Sequence, residues 1–263
     1  MPSPIGTALV TGASSGIGAI YADRLAARGH DLLLVARNED RLRAQAEKLG
    51  SRHGVKVDIM VADLTDRADL RTVETRLATD QWISVLVNNA GFGGASTLAQ
   101  SAVDDMERMI DVNVTAIMRL CYAAAPAFVA RGTGTIINIA SIVAIAPEIL
   151  NGVYGGSKAF VLAFSRSLKK ELAETGVKVQ VVLPGATGTA FWDTAGMPAS
   201  NLPESWVMTP ETLVDAALHD LDAGTFASIP SLHDEKQWQA WETAREAMSP
   251  NLSSRVAAPR YDA

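Results

Sequence analysis

One early stretch narrows the possible folds more than any other. Thr7-Ala8-Leu9-Val10-Thr11 is a short apolar run of strand formers, broken by Gly12-Ala13-Ser14-Ser15-Gly16-Ile17-Gly18. A helical apolar pattern follows through Tyr21, Leu25 and Arg28 until Gly29 stops it. In the order strand, turn, helix, such glycines let the helix pack close to the strand. They also let backbone approach a pyrophosphate at the helix N-terminus, where N–H groups stand without partners. A tight turn with no ligand would use the same residues, so the context decides.

That context is a regular alternation. Asp31 to Ala36 reads as a strand buried on both faces. Lys56 to Ala62, Ile83 to Val87, Gly134 to Ala140 and Lys178 to Leu183 read as the third to sixth strands. Phe226 to Pro230 suits an edge strand, where proline is tolerated. Helical patterns lie between them: Glu39 to Arg52, Asp69 to Leu77, Ser101 to about Phe128, and the Tyr154 stretch to about Thr175. Thr209-Pro210-Glu211 opens another, to about Asp222, with a capping hydroxyl and a first-turn proline. The alternation predicts an α/β, Rossmann-type doubly wound parallel sheet of about seven strands, with helices on both faces. No repeat or linker divides the 263 residues, so one domain is expected, with a last helix and tail over 233–263.

In such sheets ligands bind beyond the carboxyl ends of the strands, and the unusual residues of this chain fall there one strand after another. Arg37 follows the second strand, where an acidic residue would hold the 2′-hydroxyl of NAD. A guanidinium there accommodates a 2′-phosphate, which favours NADP(H) over NAD(H). Ser14 and Asn38 are placed to add hydrogen bonds to that phosphate. Asp63-Leu64 ends the third strand, and its carboxylate serves either the adenine amino group or the turn into the next helix. Asn88-Asn89-Ala90-Gly91 ends the fourth, where amides brace the sheet and hold a ribose. Ser141 ends the fifth, and Pro184-Gly185-Ala186-Thr187-Gly188-Thr189 the sixth.

Tyr154 and Lys158 are four residues apart in a helical pattern, so both side chains share one face. An ammonium beside a phenol favours the phenolate, so the spacing predicts a lowered tyrosine pKa, in the range useful for acid–base work. An exposed polar pair has the same spacing. Asn113, polar inside an apolar helical pattern, needs a partner.

Composition limits the alternatives. The net charge of −6 argues against nucleic acid. Four scattered histidines give no metal-ligand spacing, so no metal is expected. The single cysteine, Cys121, excludes an internal disulfide and suits a reducing cytoplasm. No apolar run is expected to span a bilayer, and the first strand begins too early for a signal peptide.

Taken together, these residues resemble the short-chain dehydrogenase/reductase family over roughly residues 5 to 230. The motifs are Thr11 to Gly18, Asn88-Asn89-Ala90-Gly91, Asn113, Ser141, Tyr154-x-x-x-Lys158 and Pro184-Gly185. The resemblance implies Tyr154 as general acid or base, Ser141 on the substrate oxygen, and Lys158 lowering the phenol's pKa and binding the nicotinamide ribose. Asn113 would hold a water linking Lys158 to solvent. Cofactor contacts would come from Gly12, Ser14, Ser15, Gly16, Ile17, Gly18, Arg37, Asn38, Asp63, Leu64, Asn89, Ala90, Gly91, Tyr154, Lys158, Pro184, Gly185, Thr187 and Thr189. Ala186 departs from the bulkier residue many members carry. The implied reaction interconverts a carbonyl compound and its alcohol with NADP(H). A 3-oxoacyl thioester reductase and a non-catalytic dinucleotide sensor remain as alternatives. A homodimer or homotetramer packed through the Asn113 and Tyr154 helices is also implied.

The segment 186–208 would cover the nicotinamide. Its Phe191, Trp192, Met197, Leu202, Trp206, Val207 and Met208, with Ile142, Val143, Ile145, Ile149 and Leu150, predict an apolar substrate pocket.

Overall fold

The computed structural model describes residue 3, residues 5–194 and residues 201–261. The chain divides into two compact units, residues 1–230 and 231–263. The first holds a seven-stranded sheet of β1 (Thr7–Thr11), β2 (Asp31–Ala36), β3 (Val57–Val61), β4 (Ile83–Asn88), β5 (Gly134–Ile139), β6 (Val177–Val182) and β7 (Ala227–Ser228). Every pairing is parallel, in the order β3-β2-β1-β4-β5-β6-β7. The order reverses at β1, so a crevice opens between the carboxyl ends of β1 and β4.

Helices cover both faces. On one lie α1 (Gly16–Ala27), α2 (Glu39–His53) and α8 (Pro210–Asp222). On the other lie α3 (Arg67–Thr79), α5 (Ile117–Arg131) and α6 (Gly152–Glu171). The central strands are buried on both sides, which is why they read as continuous apolar runs. On the α1 side, Ala8, Val10, Leu34 and Val87 from the strands pack with Leu25, Val214 and Leu218.

Helix starts follow their capping residues. Asn38 accepts from Arg41 N, Asp66 from Ala68 N and Asp69 N, Asn151 from Val153 N, and Thr209 from Thr212 N. The second unit carries α9 (Glu235–Met248), capped by Asp234, with Trp238 and Trp241 stacked at 4.9 Å.

Three expectations are corrected. The stretch drawn as one α-helix from Ser101 is α4 (Val103–Ile110), a π-helical segment (Asp111–Ala116) and then α5, in one continuous run. One additional residue per hydrogen-bonded ring lets this run turn Asn113 inward without turning its apolar faces away. By length and composition, Val103–Arg131 is also apolar enough to cross a membrane, contrary to the sequence expectation. Its α5 part packs on β4, β5 and α3, and its π segment on α6, so the apolar surface serves as core. The Tyr154 helix stops at Glu171 rather than Thr175, and Leu172 closes it by donating to Leu168 O and Lys170 O.

Candidate active site

The carboxyl ends of β1, β4, β5 and β6 converge on one crevice. At β1, Gly12 (φ 65°) and Gly16 (φ 55°) adopt the left-handed region that side chains avoid. Gly18 brings α1 against the loop: a Cβ there would lie 2.4 Å from Asn89 Nδ2 and from Gly12 O. Thr11 ties the strands together. Its hydroxyl accepts from Asn89 N (2.9 Å) and Ala90 N (3.0 Å), while Asn89 Nδ2 donates to Thr11 O (2.9 Å) and Gly12 O (3.3 Å). Asn89 therefore braces the glycine loop. Asn88 works deeper, donating to Asn138 Oδ1 (2.8 Å) and Cys121 Sγ (3.2 Å), and Asn138 donates on to Ser165 Oγ (2.9 Å).

The start of α1 differs from that of its capped neighbours. Ser15 makes no side-chain cap, and no acidic residue lies in the first turn. The leading N–H groups at Gly16, Ile17 and Gly18 thus face the crevice with a positive helix end behind them, which fits a pyrophosphate. Ser14 is half-buried beside them. From the other side Thr189 closes on this loop, its Cγ2 lying 3.2 Å from where a Cβ of Gly16 would be.

At the end of β2, the Arg37 side chain is 78% exposed, and its guanidinium is 4.0 Å from Asp63 Oδ2. Asn38 Oδ1 accepts from Arg41 N (2.9 Å), so that oxygen is engaged as the cap of α2. Asp63 Oδ1 accepts from Thr65 N (3.0 Å) and Thr65 Oγ1 (2.8 Å), which is its turn role, and Leu64 is buried behind it.

Tyr154, Lys158, Ser141 and Asn113 are all buried. Their electrostatics differ from the expectation of a lowered phenol pKa. Burial pushes the Tyr154 phenol up to about 12, with the Ser141 hydroxyl acting in the opposite sense. Burial also pushes the Lys158 ammonium down to about 8. The lysine sits 5.9 Å from the Tyr154 ring centroid and donates to Ile139 O (2.9 Å), so its ammonium is engaged with the backbone. Ser141 Oγ lies 3.4 Å from Pro184 O and accepts from Val143 N (3.3 Å), which ties the ends of β5 and β6.

Asn113 spends its amide on protein. Its Nδ2 donates to Phe92 O (2.8 Å) and Ser157 Oγ (3.1 Å), and its Oδ1 accepts from Phe92 N (3.2 Å). A Cβ on Gly91 would lie 2.8 Å from that Oδ1 and 3.5 Å from Lys158 Nζ, so the loop passes close over the lysine. Thr187 donates to Gly185 O (3.1 Å), and Thr189 Oγ1 accepts from Phe191 N (3.3 Å), so both hydroxyls shape the loop after β6.

Tyr154 shares an apolar cluster with Met109 and Val143, ringed by Phe92, Met106, Leu150, Val153 and Phe191. Of the expected pocket residues, Val143, Leu150 and Phe191 gather here. Trp192 is buried and donates to Thr187 O (2.8 Å), Met208 joins the core, and Ile149 and Trp206 are exposed. Met197 lies outside the described residues. The sequence reading passed over Phe92, Met106, Met109 and Val153. The i, i+3 spacing of Met106 and Met109 signals only a buried helix face. It also passed over Asn151, whose signal was its place just before the helix. Among the described residues no cluster of three metal-binding side chains occurs.

Comparison with known proteins agrees with this fold. The short chain dehydrogenase family model matches residues 6–197. A short-chain dehydrogenase from Sphingobium yanoikuyae, solved in complex with NADPH, is 47% identical. It superposes with a TM-score of 0.94 over 99% of this chain and 100% of that one. The bulky-bulky ketone specific alcohol dehydrogenase from Comamonas testosteroni is 42% identical, with a TM-score of 0.90 over 97% and 98% of the two chains. An uncharacterized oxidoreductase of Staphylococcus epidermidis is 35% identical over 208 residues, 76% of this chain and 88% of that protein.

Proposed function

We propose that this chain, which belongs to the short-chain dehydrogenase family, uses NADP(H) to reduce a ketone flanked by apolar groups to its secondary alcohol. The observation that carries this reading is Tyr154: a buried phenol beside Ser141, inside an apolar cluster, at the edge where the glycine loop opens. NADP(H) is supported by the exposed Arg37 at the end of β2 and by likeness to the NADPH-bound Sphingobium protein. The ketone is supported by the apolar ring around Tyr154 and by likeness to the Comamonas enzyme.

In this reading the loop N–H groups hold the pyrophosphate, Arg37 and Ser14 the 2′-phosphate, and Lys158 the ribose nearest the reacting carbon. The bound nicotinamide supplies the hydride. The chain's own work is on the oxygen. Ser141 hydrogen-bonds it and steadies the charge it gains, and Tyr154 gives it the phenolic proton. A phenol titrating at about 12 is protonated at neutral pH, so it stands ready to donate to the oxygen as charge develops there.

The test is NADPH oxidation, beside NADH, against ketones, aldehydes, steroids and 3-oxoacyl thioesters. Tyr154→Phe should abolish turnover and leave NADPH binding intact. Full activity in that variant, or a clear preference for NADH, refutes the assignment. We assign the stacked Tyr122, Phe164 and Phe160 face of α5 and α6 to a second copy of the chain. A monomer in analytical ultracentrifugation overturns that assignment.

A further inference from the structure

Phe191 and Gly93 make a steric pair whose consequence reaches the substrate. Phe191 begins the short helix α7 (Phe191–Thr194) and lies against the catalytic tyrosine, with ring centroids 5.7 Å apart at 44°. Its base is fixed twice. Its N–H donates to Thr189 Oγ1 (3.3 Å), and its ring meets that of Trp192 edge-on at 5.4 Å, itself held by the bond to Thr187 O. Its tip is fixed by an absence. A Cβ on Gly93 would lie 2.5 Å from Phe191 Cζ and 3.1 Å from Tyr154 Cε2. The place where any other residue would begin its side chain is therefore the place the phenylalanine ring needs.

We infer that Phe191, seated against Gly93, is a specificity-determining residue. It sets the size of the carbonyl substituent on the α7 side of Tyr154. The inference rests on the proposed reduction of a ketone. The ketone's oxygen must reach the Tyr154 and Ser141 hydroxyls, so its two substituents spread to either side of them. They meet the apolar cluster that Val143 and Leu150, from the segment joining β5 to α6, share with Phe191 around Tyr154. Within it the Phe191 ring has its position dictated by a neighbour with no side chain. Hydrophobic pockets discriminate by filled volume, at roughly 10–200-fold per methylene-sized mismatch. A whole aromatic ring at the wall is a large enough lever to reorder a series of ketones.

The experiment measures kcat/KM with NADPH for aryl ketones whose second substituent grows from methyl to phenyl. It uses wild type, Phe191→Ala, Gly93→Ala and the double variant. Phe191→Ala should lower kcat/KM for the methyl ketone by about tenfold or more and raise it for the phenyl ketone, shifting the rank order. Gly93→Ala displaces the ring, so it should cost about tenfold or more with every substrate in the wild-type background and about threefold less than that where Phe191 is already alanine, the remaining cost coming from the 3.1 Å approach to Tyr154 Cε2. An unchanged substrate ranking in Phe191→Ala overturns the inference, as does an equal effect of Gly93→Ala in both backgrounds. Wild-type protein inert on every ketone overturns the reductase reading itself. An active wild type with an unshifted ranking overturns only the role of Phe191. Circular dichroism and NADPH affinity on each variant separate a lost wall from a lost fold.

Discussion

Replacing Asn113 by alanine removes one amide and strands several groups at once. Its side chain has no solvent exposure. It satisfies Phe92 N–H, Phe92 C=O and one side of Ser157 Oγ, through bonds of 3.2, 2.8 and 3.1 Å. Ser157 keeps a partner, because its hydroxyl also donates to Tyr154 O (2.8 Å). The two Phe92 groups have no substitute of that kind. Leaving a buried polar group unpaired costs about 1–3 kcal/mol. Phe92 is only half-buried, so water recovers part of that for each group. The loss expected for Asn113→Ala is therefore about 2–4 kcal/mol, well above the roughly 0.5 kcal/mol of an ordinary surface change. Urea unfolding followed by circular dichroism reads this as a lower midpoint at unchanged slope. Turnover should fall as well, because the released loop is the one passing over Lys158. A loss under about 1 kcal/mol would show that the amide does not carry the loop, and would refute the reasoning.

Gly18→Ala forces a methyl into the space held by Asn89 Nδ2 and Gly12 O. It should weaken NADPH binding by about tenfold or more, roughly 1.4 kcal/mol, in a fluorescence titration; a Kd within about twofold of wild type contradicts the close-approach argument. Lys158→Met probes the buried ammonium. Its pKa is about 8 folded against an ordinary 10.5, so the folded chain binds fewer protons than the unfolded one across that interval. The penalty is complete below the folded value and fades as pH rises toward 10.5. The methionine variant should gain on wild type most near neutral pH and lose that gain in alkali. A stability difference flat in pH shows that the lysine is not desolvated.

The sequence made the crevice legible because its residues are tied to strand ends, and strand ends were readable from apolar runs. Gly12 to Gly18, Asn89, Ser141 and Pro184 fall at the sheet edge where the alternation put them. What was not legible is what depends on depth. Four-residue spacing put Tyr154 and Lys158 on one face, yet spacing says nothing of burial, and burial sets both of their pKa values. Asn113 was marked as needing a partner, but the partner is the backbone of Phe92, far away in the chain and unmarked by type. Asp63 had two readings, and its Oδ1 serves the turn through Thr65 while its Oδ2 faces Arg37. Asn88, Asn138, Ser165 and Cys121 form a buried chain of contacts across β4, β5, α5 and α6. Such a network involves residues that, one at a time, look like ordinary strand and helix positions.

The π segment at Asp111–Ala116 works as slack in the winding of a long helix. Its i→i+5 rings hold one residue more than α-helical rings, so the extra residue widens the turn and leaves the two halves in phase. Removing one residue from the segment would let it close into ordinary i→i+4 rings, with Met106 and Met109 still in the cluster around Tyr154 and Leu120, Cys121 and Ala124 still buried. The wide turn that carries Asn113 would be lost. A deletion in the regular helix on either side has no such slack, and would rotate one half by about 100° against the other.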